Sequence, residues 1–207
     1  MEAYERNVLH TLDADEFITI EDAKSAAAAL NEGIEKAKND ICVLVHQDVI
    51  FPAGWAIMLQ DAIRGLDFGV CGVWGSRLYD GKLVGNVIAP VGGQWIVGEL
   101  PESVQCIDEC IMIIRKSPGL RFDEAINHFH WYGPDICMES LSRGMKNYVI
   151  DAPVEHLSMG NKNDDFRRCK KLFVGKWENR IHEPTVVYTS CETIIVKPKR
   201  VKKCTNP

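Results

Sequence analysis

The sequence predicts an α/β fold, a mixed and mainly parallel sheet flanked by helices. Three observations carry that prediction. Ile41-Cys42-Val43-Leu44-Val45 is a continuous apolar run, the pattern of a strand buried on both faces of a parallel sheet. Similar runs recur at 69–74 and 110–115. A segment of helical period precedes the first run, with Ala26, Leu30, Ile34 and Ala37 on one face.

In chain order, residues 16–20 (Glu-Phe-Ile-Thr-Ile) read as a short strand. Ser25 supplies an N-cap for a helix reaching about Ala37, and Asn39-Asp40 stops it. Strand, helix and the run 41–45 then form a unit whose two strands should be parallel. A second helix is expected over 53–65, opened by Pro52 and closed near Gly65. The stretch 75–103 carries Gly75, Gly81, Gly85, Gly92, Gly93 and Gly98, and reads as an antiparallel excursion or a flap. A helix over 134–143 has Pro134 in its first turn and Gly144 at its end. Tyr148-Val149-Ile150 is a further strand leading to His156. Val186–Tyr188 and Thr193–Val196 read as edge strands. Lys197, Lys199, Arg200, Lys202 and Lys203 follow as a basic, solvated tail, which offers weak contact to an anionic membrane surface. The division expected is one catalytic domain over 1–184 and an extension over 185–207.

Composition removes several classes of function. The 207 residues are 46% hydrophobic, enough for a sizeable core. A net charge of -5 gives no reason to expect nucleic-acid binding. No apolar run approaches the roughly 18–20 residues that cross a bilayer. Met1 to Arg6 lacks the basic start and apolar core of a signal peptide, so a cytoplasmic location is expected. None of the eight cysteines forms a CxxC pair, and several lie in apolar runs, so they are expected to be reduced and structural. The Cys106/Cys110 spacing is only weak support for a metal site.

The chemistry starts at His46-Gln47-Asp48, directly after the buried run. Polar residues there stand on the carboxyl edge of the sheet, where open α/β sheets bind ligands. A carboxylate at that edge can hold a divalent cation, and the cation a diphosphate. This points to an enzyme acting on a nucleotide-activated substrate.

With the elements placed, the chain resembles the GT-A glycosyltransferases of family 2, in particular a bacterial glycosyltransferase-like branch. The matching pieces are the helix Ser25 to Lys38, Val43 to Val49 with Gly54-Trp55, Gly119 to Glu124, Phe129 to Cys137, and His156-Leu157-Ser158. Together they cover about residues 12–177. The resemblance implies transfer of a sugar, of hexosyltransferase type, from a nucleotide-diphosphate donor to a saccharide, lipid-linked or protein acceptor, with inversion. It implies a divalent metal, Mn²⁺ or Mg²⁺, held by Asp48 and His156. His46 stands where the family has an Asp that touches ribose or metal. Asp135 matches the catalytic base at a helix start, although Pro134 replaces the Glu that usually precedes it. Asp22, Glu21 and Asn31 match nucleotide-binding positions. Trp131, Tyr132, His130, Asp108 and Glu109 are expected to contact sugar or acceptor. The first strand of the family is expected to be missing, the chain beginning inside the following helix near Tyr4 to Leu12. Two other functions fit parts of the pattern. One is a non-catalytic nucleotide- or sugar-binding relative. The other is a zinc hydrolase using His128, His130, Asp135 and His156.

Overall fold

Ser25 begins the first regular element: its Oγ accepts the Ala28 amide at 3.2 Å and starts helix α1 (Ala26–Lys36). The computed structural model describes residues 14–89, 93–158 and 160–199. Tyr4 to Leu12, where the resemblance places the start of the chain, lie outside them, as do Arg200, Lys202 and Lys203.

After α1 come β1 (Ile41–Val45), β2 (Val49–Ile50) and α2 (Trp55–Ala62). Then follow β3 (Val70–Gly72), β4 (Trp74–Arg77), β5 (Leu83–Ile88), β6 (Gln94–Val97), β7 (Glu102–Ile107) and β8 (Ile111–Arg115). Helix α3 (Tyr132–Ser142) precedes β9 (Asn147–Val149) and β10 (Val154–His156). Helix α4 (Asp164–Trp177) leads to the hairpin β11 (Thr185–Tyr188) and β12 (Thr193–Val196).

One sheet runs in the order β1-β8-β3-β9-β7-β4-β5-β10-β2, with β6 paired to β5. The two-faced burial expected of the apolar runs is visible in β8. Met112 and Ile114 pack into the apolar cluster with α1, α3 and α4, whereas Ile111 and Ile113 enter a second cluster with Trp55 and Leu59 of α2. Side chains of a strand alternate between faces, so a strand inside a three-layer fold is apolar throughout. The result is the mixed α/β sheet the sequence predicts.

Parallel pairs are fewer than the apolar runs suggest. They are β3–β9 and β5–β10, and the other pairs of this sheet are antiparallel. Two features explain this. β8 inserts antiparallel between β1 and β3, and the Gly-rich excursion folds into the β4–β5–β6 meander.

Residues 16–20 do not form the expected strand. They run along α1 instead: Ile20 lies over Gly33, and the Glu16 carboxylate accepts the Lys38 amide at 2.9 Å. The parallel strand-helix-strand unit is therefore absent among the described residues. Helix α2 is shorter than the expected 53–65, because Gly54 adopts a left-handed conformation (φ 75°) and the helix starts only at Trp55. Among the described residues, seven cysteines are free thiols; all but Cys191 are buried, in line with a structural role.

The terminal hairpin is docked on the sheet rather than lying free. Buried Gln105 donates to the Val186 carbonyl at 2.9 Å and accepts the Tyr188 amide at 2.7 Å. Lys199 is likewise held, its amide and ammonium both meeting Glu178.

Candidate active site

The sheet register assembles the site. β1 ends at Val45, and the His46 amide donates to the Cys110 carbonyl at 3.0 Å, so the chain turns through His46-Gln47-Asp48 at the sheet edge. β2 then pairs with β10, setting His156 opposite Val49. The Leu157 amide closes this corner on the Asp48 carbonyl at 2.9 Å.

Three side chains from distant positions meet there. One ligand atom each of His46, Asp48 and His156 lies within 4.8 Å of the others. His156 Nε2 is 3.4 Å from Asp48 Oδ2, and His46 Nδ1 is 3.9 Å from Asp48 Oδ1. Asp48 Oδ1 is buried and has no hydrogen-bond partner among the described residues. A buried carboxylate oxygen left unsatisfied is costly, and a cation would satisfy it. Burial holds His46 below its ordinary pKa, so the ring is a neutral imidazole able to ligate. Two imidazoles and a carboxylate suit a borderline divalent ion such as Mn²⁺ or Zn²⁺. His46 Nε2 shares a 2.5 Å hydrogen bond with the Tyr132 hydroxyl, which fixes the ring.

A second group, Asp108, Cys110 and His156, also lies close together. It suits an ion less well. Asp108 already accepts the Ser190 hydroxyl at 2.6 Å and the Cys110 amide at 3.1 Å. Burial, then Asp108, pushes the Cys110 thiol well above its ordinary pKa.

These residues open onto a cavity of about 440 Å³. His46 and His156 line one side, and Trp74, Leu83, Val87 and Trp95 an apolar side. Asp108, Glu109, His130 and Trp131 also line it. The buried Trp131 indole N–H there has no partner. Burial holds His130 below its ordinary pKa, and its ring packs edge-on against Phe166 at 5.5 Å. Sequence reasoning missed the contributions of Trp74, Trp95, Lys162 and the turn Thr189-Ser190-Cys191.

Four expectations are corrected. Asp135 is 1% exposed, off the cavity wall, and points into the core. There Lys176 Nζ donates to its Oδ2 at 2.7 Å and Trp177 Nε1 to its Oδ1 at 2.8 Å. It sits in the first turn of α3, on the face covered by α4, and this geometry gives it no access to an acceptor. Asn31 is a structural pin. It donates to the Phe122 carbonyl and Glu124 carboxylate and accepts the Phe122 amide, all within 3.0 Å. Glu21 and Asp22 are exposed before α1 and do not line the cavity. Tyr132 lies under His46 rather than on the wall, because the first turn of α3 buries it to 2% exposure. The zinc-hydrolase set does not converge either. His128 faces Arg168 and Asp165, and Asp135 is in the core.

Glu109 has the most displaced carboxyl of the site. Burial raises its pKa from 4.5 to about 8, against the pull of the Gly133 amide and with a further push from Asp108. A folded-state pKa above the unfolded one means that folding favours the proton-bound form. Its stabilising effect is fully present below about pH 4.5 and lost as pH rises through about 8. Glu109→Gln is therefore expected to flatten the fall in thermal stability across that window. Calorimetric unfolding at a series of pH values measures it.

The mixed sheet with helices on both faces, and a His/Asp/His group at its edge beside a cavity, define an α/β protein with a sheet-edge site. The chain belongs to the glycosyltransferase-like family, which matches residues 11–177. It is also similar to the "ATP synthase subunits region ORF 6" protein of Fuscovulum blasticum, at 26% identity over 80 residues. That stretch covers 39% of this chain and 32% of the relative, so about a third of the relative's length is spanned. Among the described residues, no helix is long and apolar enough to cross a membrane.

Proposed function

We propose that this chain transfers a hexose-type sugar from a nucleotide-diphosphate donor to an acceptor hydroxyl, with inversion and with the help of a divalent cation. The observation that carries this reading is the Asp48 Oδ1, unsatisfied among the described residues, held between His46 and His156, which line a cavity large enough for a sugar. When bound, the cation would neutralise charge on the leaving diphosphate.

The protein's own groups do the rest. Tyr132 holds His46 in one orientation. The apolar side formed by Trp74 and Trp95 offers aromatic rings to a sugar face, their centroids 6.2 Å apart. Asp108, His130 and the Trp131 indole offer polar edges to hydroxyls. The acceptor is a saccharide, a lipid-linked sugar or a protein side chain. Residues 1–184 act as the catalytic unit, and the β11–β12 hairpin reaches over its cavity through Ser190. The work takes place in the cytoplasm, with the basic tail touching the membrane surface.

The test is turnover of UDP- and GDP-sugars with saccharide acceptors, before and after chelation. Donor consumption should stop with EDTA and return with Mn²⁺. Turnover that survives chelation unchanged would contradict the reading.

A further inference from the structure

Glu109 lies in the turn between β7 and β8, on the cavity wall. Its Oε1 accepts the Gly133 amide at 2.9 Å, and its carboxyl also draws on the amides of Trp131 and Tyr132. These amides open α3, the end of a helix that attracts an anion. Gly133 is what admits the carboxylate. A Cβ there would fall 2.6 Å from Glu109 Cγ and 3.3 Å from its Oε1. The acid that α3 itself carries in its first turn, Asp135, is turned into the core. The open end of this helix is thus served by a carboxylate from another part of the sheet.

The position is also next to the proposed cation ligands. The Tyr132 hydroxyl lies 3.5 Å from the Glu109 carbonyl and 2.5 Å from His46 Nε2. Of the other groups on the wall, Asp108 is held by Ser190 and the Cys110 amide, and His130 packs on Phe166.

We propose that Glu109 is the general base of the transfer, taking the proton of the acceptor hydroxyl. This rests on the transferase reading above. As the acceptor oxygen bonds to the anomeric carbon, its proton passes to the Glu109 carboxylate. The bond from the anomeric carbon to the diphosphate oxygen breaks, and its electron pair leaves with the nucleoside diphosphate. Glu109 then releases the proton to solvent. A base works best when its pKa lies near the working pH, and burial places Glu109 at about 8.

The test compares wild type with Glu109→Gln, whose amide oxygen can still accept the Gly133 amide. The probes are UDP and GDP for binding, and UDP-glucose, UDP-N-acetylglucosamine and GDP-mannose for turnover, all with Mn²⁺. The variant should bind the nucleotide within about threefold of wild type, while kcat falls by about 10²–10⁴-fold. Wild-type kcat/KM should rise with pH to a plateau, and the variant should lose that limb. Burial keeps His46 and His130 below their ordinary 6.5 and pushes Tyr132 and Cys110 well up. A purely structural role would lower stability and leave the limb in place.

Turnover within threefold of wild type, or a retained limb, overturns the proposal. So does a wild type that binds nucleotide yet consumes no donor. Failure of wild type to bind either nucleotide with Mn²⁺ overturns the transferase reading itself, and the role of Glu109 with it.

Discussion

Asp135→Ala should cost about 3 kcal/mol of stability while the folded fraction keeps its affinity for nucleotide. Removing one partner of a buried ion pair leaves the other uncompensated, at a typical cost of about 3–5 kcal/mol. Here Lys176 retains Asp123 at 3.1 Å, which argues for the lower end. The buried Trp177 indole N–H loses its acceptor altogether. Asp135→Asn should cost less, since an amide oxygen can still accept from Trp177. Burial raises the Asp135 pKa while Lys176 opposes the rise, the balance of a structural pair. Urea unfolding with parallel nucleotide titrations measures both effects. A variant of undiminished stability that has lost turnover would restore Asp135 as the base.

Asp48→Ala should act the opposite way, with turnover falling at least about 10³-fold and the fold intact. Asp48 supplies the only carboxylate of the His46/Asp48/His156 group, and its loss leaves two imidazoles. Losing several kcal/mol of charge stabilisation at the diphosphate corresponds to about three powers of ten in rate. Little stability depends on the side chain. Its Oδ1 has no hydrogen bond to lose, and the corner is closed through the backbone carbonyl to Leu157. A site that costs the fold something and serves function behaves this way, so Asp48→Ala is expected to melt no earlier than wild type. Thermal denaturation beside donor turnover checks both parts.

The legible features were those that local pattern controls. The apolar run 41–45 predicts a strand, but β1 is a mostly half-buried strand at one end of the sheet order, antiparallel to β8, rather than one buried on both faces. Ser25 predicts the helix cap that α1 shows. His156 is expected from the family resemblance alone, as a His that follows strand 148–150 by a short loop; that it ends a strand paired to β2 follows from the sheet register. What misled was orientation. Asp135 sits in the first turn of α3, as an acid near a helix N-terminus should, but position along a helix does not say which face is covered. Residue 135 faces α4, and that contact is set by Lys176 and Trp177, 41 and 42 residues later. Asn31 carried a similar ambiguity, since a mid-helix amide can serve a ligand or bridge to a loop. Glu109 and Gly133 are 24 residues apart, and their pairing follows from the packing of the β7–β8 turn against α3. Ser190 lay in a stretch that composition marks as tail, yet the docking of β11–β12 through Gln105 carries it to Asp108.

Calorimetric titration of UDP and GDP into the wild-type chain, with and without Mn²⁺ and alongside Asp48→Ala, tests the central claim most directly. The predicted result is binding of one nucleotide that requires Mn²⁺ and disappears in the variant. Binding of neither nucleotide by a well-folded sample, or binding indifferent to both Mn²⁺ and Asp48, would contradict a cation-assisted donor site at the edge of this sheet.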